Sequence, residues 1–216
     1  MAEFAHFFRC DFLDTLNMKE CGMYLENHFP KSHISCVNWP SAYPYQPICL
    51  VCGAFSADYL YVHFVVREDT ILAENINNLS PVANDSCVEF FLKTPYSDEY
   101  WNFEFNCIGT VNASHRVLRP NAVRLTDEEI ASIKRYASCG TEPFAAKAGI
   151  HTWTLTVGIP LALIGITDNH FPDRIYGNFY KCAGMSPNPH YLSWAPIKSE
   201  KPNFHLPKFF GTILLG

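Results

Sequence analysis

Over most of its length the chain alternates apolar and polar positions with the two-residue period of a strand. The stretch WNFEFN is the clearest case. Trp101, Phe103 and Phe105 alternate with Asn102, Glu104 and Asn106. The pattern predicts a strand with three aromatics in the core and a row of two amides and a carboxylate on the opposite face. Residues 48–55 (ICLVCGAF) form an apolar run, and residues 59–66 (YLYVHFVV) are apolar on both faces, as in a central strand. Residues 86–92 set Val88, Phe90 and Leu92 on one face and Cys87, Glu89 and Phe91 on the other. Residues 151–159 point Trp153, Leu155 and Val157 inward and Thr152, Thr154 and Thr156 outward. Shorter strands are expected near residues 174–181, 191–194 and 209–215. One short helix is expected near residues 126–136. It starts at the capping box Thr126-Asp127-Glu128-Glu129, has Ile130 and Ile133 on its apolar edge, and places Lys134 and Arg135 where the helix dipole favours them. A further helical turn is expected after Pro160. The 15 prolines gather mostly in residues 39–47 and 185–207, outside the strand runs. Many strands, one helix and long proline-rich connections predict an all-β, two-sheet β-sandwich occupying residues 1–216 as one domain.

Composition narrows the function. A net charge of −5 argues against a nucleic-acid partner, which calls for a basic footprint. No apolar run approaches the ~18–20 residues of a membrane-crossing helix, so no membrane partner is expected. Aromatics make up 15% of the chain, which suits strands and also sugar-stacking surfaces. Nine cysteines cannot all pair, and the opening MAEFAHFFRC lacks the basic-then-apolar character of a signal segment. Free thiols in the cytoplasm are the expectation; a different start would make the protein periplasmic or secreted.

The candidate chemistry centres on the polar row. Asn102, Glu104 and Asn106 repeat every ~6.5–7 Å along one strand face, and Glu89 lies on the preceding strand facing the same way. Amides and carboxylates held in line on a sheet suit the hydroxyls of a sugar. The same groups also suit a structural role, satisfying loop backbone or one another. Phe204 and His205 stand in a loop bounded by Pro202 and Pro207, where an aromatic ring is either a stacking platform or a plug for the end of the fold. Asp85, Glu89 and Glu104 resemble a glycosidase carboxylate pair, although nothing else marks an acid/base site. His190, His205 and Cys182 have no compact zinc spacing. Cys49 and Cys52 have CxxC spacing, but a strand puts them on opposite faces. Residues 168–173 (DNHFPD) carry oxygen ligands without the spacing of an EF-hand.

The ordered motifs DSCVEFF (85–91), YWNFEFNCIG (100–109), Trp153 with Ile159-Pro160, NFYKC (178–182), PHYLSW (189–194) and PNFHLP (202–207) with Phe210-Gly211 resemble the family 9 carbohydrate-binding module and its stand-alone bacterial relatives. The resemblance runs from about Trp39 to the end of the chain. It implies a jelly-roll sandwich and non-catalytic binding of an oligosaccharide or polysaccharide, of the plant xylan type, in polysaccharide catabolism. In the xylanase-attached members the sugar lies between two Trp rings. Carried over by position, Glu89 and Asn106 are contacts, and Phe204 stands where those members have Trp. Two positions depart from the pattern: residues 78–84 contain no aromatic for the other half of the clamp, and Glu104 occupies the place of a basic contact. The expected ligand-binding residues are Glu89, Asn102, Glu104, Asn106 and Phe204, with Trp194 and Asn203 beside them; no catalytic residue is assigned. The resemblance also implies structural calcium, for which the sequence marks no ligand set. Two alternatives stay open: a hydrolase of O-glycosyl bonds, and a sandwich serving protein contacts with a decayed sugar site.

Overall fold

A computed structural model describes residues 3–216. The chain runs β1 (Phe4–Arg9), α1 (Met18–His28), β2 (Ser32–His33), β3 (Cys36–Val37), β4 (Ile48–Phe55), β5 (Tyr59–Ala73), β6 (Cys87–Lys93), β7 (Tyr100–Asn106) and β8 (Val111–Arg116). There follow β9 (Val123–Arg124), α2 (Asp127–Ser132), β10 (Lys134–Ala137), β11 (Phe144–Pro160), β12 (Arg174–Ala183), β13 (His190–Ser193) and β14 (Gly211–Leu215). The protein is mostly β. Rather than two separate sheets, one hydrogen-bonded path carries the strands in the order β10-β11-β5-β4-β1-β14-β12-β6-β7-β8-β9. β1 is the joint: residues 4–7 pair in parallel with β14, and Phe8 and Arg9 pair in parallel with β4.

The mixed sheet curls until its two halves face each other. Phe179 of β12 stacks on Phe90 of β6 at 4.5 Å between ring centres and meets Phe64 of β5, from the other half, edge-on at 6.3 Å. The inner faces of both halves share one core with Val88, Phe103, Phe105, Trp153 and Leu155. One ion pair crosses this core. Lys181 Nζ of β12 lies 2.8 Å from Glu68 Oε2 of β5, and both side chains are fully buried. Trp153 Nε1 donates to the other Glu68 oxygen at 2.6 Å. Burial works against the Lys181 ammonium, but Glu68 outweighs it and holds the Lys181 pKa above its ordinary value.

Two helices are present where the sequence pattern predicts one. α1 carries its own capping box: the Asn17 side chain accepts from the Glu20 backbone, and Glu20 reaches back to Asn17. α2 starts at the predicted Thr126 box but ends at Ser132. Lys134 and Arg135 therefore lie in β10 against β11, not in a last helical turn. The reason is a free strand edge: pairing with β11 offers these residues ladder hydrogen bonds that a short helix end does not.

The outer face of β12, β6, β7 and β8 positions the site. Register places Cys182 opposite Cys87, Glu89 opposite Glu104, and Glu104 opposite Asn112. Register partners share a face, as do residues two apart. Cys182, Cys87, Glu89, Asn102, Glu104, Asn106, Asn112, Ser114 and Arg116 therefore all point away from the main core. That face is not left to water. Trp39, Ile197 and Phe204, from the proline-rich segments, pack over it with Phe91, Tyr100 and Tyr180 as a second hydrophobic cluster. Asn102 and Asn106 are fully buried, and Glu104 is nearly so.

Candidate functional site

Where the covering loops stop short, a cleft of about 410 Å³ opens onto the strand floor. Glu89, Glu104, Asn112 and Arg116 form its polar floor, and Pro81, Ala83, Tyr191, Asn203, Phe204 and His205 line it from the covering segments and β13. Four of the expected ligand-binding residues, Glu89, Glu104, Asn203 and Phe204, are thus brought together. The other three lie elsewhere. Trp194 packs in the main core, edge-on to Phe179 at 5.6 Å and so close over Gly211 that a Cβ there would lie 2.5 Å from the indole. Asn106 is a fastener. Its amide donates to Asp85 Oδ2 and to the Asn75 carbonyl, both at 2.8 Å, and its Oδ1 accepts from the Thr110 backbone at 2.9 Å. It therefore ties down the β7–β8 turn, where Gly109 supplies the left-handed φ of 84°. Asn102 sits just beneath the floor.

The floor is a relay of hydrogen bonds. Arg116 donates to Asn102 Oδ1 at 2.8 Å, to the Arg119 carbonyl at 3.0 Å and to the Ser114 hydroxyl. Ser114 donates to Asn102 Oδ1 at 2.7 Å, and the Asn102 amide donates to Glu104 Oε1 at 2.9 Å. Asn112 donates to Glu104 Oε2 at 3.0 Å. Both Glu104 oxygens are therefore held by amides. Burial raises its pKa, while Asn112, Arg116 and Asn102 pull it back. Glu89 has no such amides. Burial, then Cys182 and Glu104 beside it, push its pKa well above the ordinary carboxylate value. The neutral acid so favoured can donate a hydrogen bond as well as accept one. A guanidinium reaches the floor from the neighbouring strand, on Arg116. Only its place on the same face as Asn112, four residues on, could have marked it in the sequence.

The aromatic wall differs from a two-ring clamp. Phe204 stacks on Tyr180 at 4.1 Å and 10°, so one of its faces is already covered. Tyr191 lies edge-on to Phe204 at 6.2 Å and is more exposed. His205 accepts or shares a hydrogen bond with the Tyr100 hydroxyl at 3.1 Å. Burial and then the Arg116 and Arg119 charges lower its pKa to about 3, so this wall of the cleft is neutral and ring-like at ordinary pH. His190 and Cys182 do not meet: His190 lies 3.7 Å from Glu68 on the core side.

Among the described residues, the acidic candidates for calcium are committed to other partners. Asp85, an acidic candidate in the sequence, accepts from the Glu74 and Asn75 backbones at 3.1 and 3.0 Å. In residues 168–173 Asp173 pairs with Arg174, and the Asp168 side chain lies outside the described residues. Among the described residues, the one group of three metal-ligating side chains that converge is Cys87, Glu89 and Cys182, and two sulfurs do not suit a hard cation.

A cleft floored by hydrogen-bonding strand residues and walled by rings on a curled β fold defines a small-ligand-binding module. The chain belongs to carbohydrate-binding family 9, whose model matches residues 20–215. A candidate carbohydrate-binding protein from Bacteroides uniformis is 29% identical over the whole of both chains, with a TM-score of 0.93. Two structures of a family 9 module from Caldicellulosiruptor kristjanssonii share the fold. The complex with cellotriose is 12% identical with a TM-score of 0.59, covering 99% of this chain and 93% of that one. The complex with glucose is 14% identical with a TM-score of 0.60, covering 99% and 96%. No curated protein matches the chain.

Proposed function

We propose that this protein is a non-catalytic sugar-binding module whose ligand, a gluco- or xylo-configured oligosaccharide, enters the cleft over β6, β7 and β8, and that its curled sheet is the family's jelly-roll sandwich. The observation that carries this is the floor itself: Glu89, Glu104, Asn112 and Arg116 present fixed donors and acceptors side by side, beneath a wall of Tyr191 and Phe204. Neighbouring sugar hydroxyls need that mixture, and a ring edge covers the apolar side of a pyranose. The family 9 modules seen with glucose and cellotriose support the ligand class.

The floor favours binding over hydrolysis. A glycosidase sets its two carboxyls on either side of the scissile bond. Glu89 and Glu104 are register partners on adjacent strands and rise from the same floor. Glu104 is also committed to two amides. The nine free cysteines support a reducing compartment such as the cytoplasm for this activity, which fractionation of cells would test. Calorimetric titration with a panel of gluco- and xylo-oligosaccharides tests the main reading. Saturable heat with one sugar per chain is expected, and Arg116→Met and Tyr191→Ala should each weaken it about tenfold, the loss of one good contact. Silence across the panel, or equal affinity in both variants, would overturn it.

A further inference from the structure

We infer that Cys87, Glu89 and Cys182 form a binding site for one thiophilic divalent ion of the zinc class, set into the floor of the cleft. The inference stands apart from sugar binding and rests on strand geometry. Cys87 and Cys182 are direct register partners on antiparallel β6 and β12, so their side chains share a face. Glu89 follows two residues after Cys87 and joins them there. The three ligand atoms all lie within 4.8 Å of one another. The Cys182 thiol donates to Glu89 Oε1 at 3.1 Å, and the Cys87 sulfur stands 4.0 Å from the same oxygen. Zinc bonds of about 2.0–2.3 Å in a tetrahedron put ligand atoms roughly 3.5–3.8 Å apart. The observed separations bracket that spacing, so small side-chain rotations close the site.

The donor set selects the ion. Two thiolates and a carboxylate suit zinc and its softer relatives, and they suit calcium or magnesium poorly. The ligands stand on paired strands inside the sheet, not on loops, which fixes their directions before any ion arrives. All three are almost completely buried, and Glu89 and Cys182 also line the cleft. Three protein ligands with one side toward the cleft leave a fourth coordination position for water or a ligand oxygen. Binding displaces three protons to solvent, one from each thiol and one from the Glu89 acid, and leaves two thiolates and a carboxylate on the ion. The other paired cysteine motif offers nothing comparable: Cys49 packs in the main core, whereas Cys52 faces α1.

The test uses the full chain, reduced and stripped of metal with a chelator, titrated with Co²⁺ and then Zn²⁺. One equivalent of Co²⁺ should bring up a thiolate-to-cobalt charge-transfer band and the visible bands of a tetrahedral ion, and Zn²⁺ should erase both. Cys87→Ser and Cys182→Ser should abolish the band, and Glu89→Gln should weaken binding ~10-fold or more. Cys10→Ser and Cys139→Ser, at partly exposed cysteines outside the cluster, should keep it. The ¹¹³Cd spectrum of the unmutated protein needs no variant to fold; one resonance in the two-sulfur range is expected. No band at one equivalent, a band that survives Cys87→Ser, a cadmium resonance without sulfur ligands, or a Cys87–Cys182 disulfide whose reduced form still takes no metal would each overturn the proposal.

Discussion

Replacing Lys181 with Met removes one partner of a fully buried ion pair while leaving the side chain's length and apolar stem nearly intact. Glu68 then keeps the Trp153 indole at 2.6 Å but loses the ammonium at 2.8 Å, its compensating cation in the core. His190, at 3.7 Å, is a poor substitute, because its burial, which does not depend on Lys181, opposes the charged form. Stranding one charge of a buried pair costs about 3–5 kcal/mol. At roughly 2–4 °C per kcal/mol for a chain of this size, the melting temperature should fall by about 6–20 °C. Glu68→Gln should cost a similar amount, since it leaves the ammonium without its counter-ion. The pair Glu68→Gln/Lys181→Met removes both charges and keeps an oxygen for Trp153. Its loss should fall short of the sum of the singles by ~2 kcal/mol or more, within the range seen for groups in contact. Urea unfolding of the four proteins closes the cycle. Additivity within ~0.5 kcal/mol would refute the claim that this pair couples the two halves of the sheet.

Three further outcomes follow from the same geometry. Asn106→Leu strands the Thr110 amide and the Asn75 carbonyl, removes one of several donors to Asp85, and should cost about 2–4 kcal/mol, the price of two or so unsatisfied buried groups, measured by urea unfolding. Acid should destabilise the fold earlier than exposed carboxylates alone would. Burial holds His63 at about 4 and His190 at about 3, below the ordinary 6.5. The unfolded chain therefore binds protons that the native chain refuses: this stability is complete above about pH 6.5 and is lost as pH falls toward 4 and 3, on the order of a few kcal/mol per histidine. His63→Gln, read by melting temperature between pH 7 and pH 5, should flatten that slope, and an unchanged slope would contradict the assignment. Arg116→Met should lower stability by about 1–3 kcal/mol as well as weaken ligand, because the guanidinium supports Asn102 and, through it, Glu104.

The strands were legible because their residues obey one local rule. The run predicted over residues 48–55 is β4 itself, and WNFEFN lies within β7 with Phe103 and Phe105 in the core as its alternation implies, while Trp101 is half-buried at the margin beside His115. β5 and β11 extend well past the predicted runs, because their far ends pair with each other through two register irregularities that break the local alternation. α1 was readable in principle: Asn17-Met18-Lys19-Glu20 carries the same capping signal as the Thr126 helix. The fate of the polar row was not readable. Alternation distinguishes the two faces of a strand, but it does not reveal that Trp39, Ile197 and Phe204, drawn from distant proline-rich loops, fold over the second face. That covering layer turned Asn102 and Asn106 from candidate contacts into supports and left Glu89 and Glu104 at the cleft. Asn112 and Arg116 depend on the register of the β7–β8 hairpin, and the Cys87–Cys182 pairing on register between strands far apart in sequence; local periodicity carries neither.

Amide chemical shifts of the ¹⁵N-labelled protein, followed as glucose, cellotriose and xylo-oligosaccharides are added, test the central claim most directly. The account predicts saturable shifts concentrated at Glu89, Glu104, Asn112 and residues 203–205. A spectrum indifferent to every sugar, or shifts gathered instead around α1 and its exposed Met23, would contradict it.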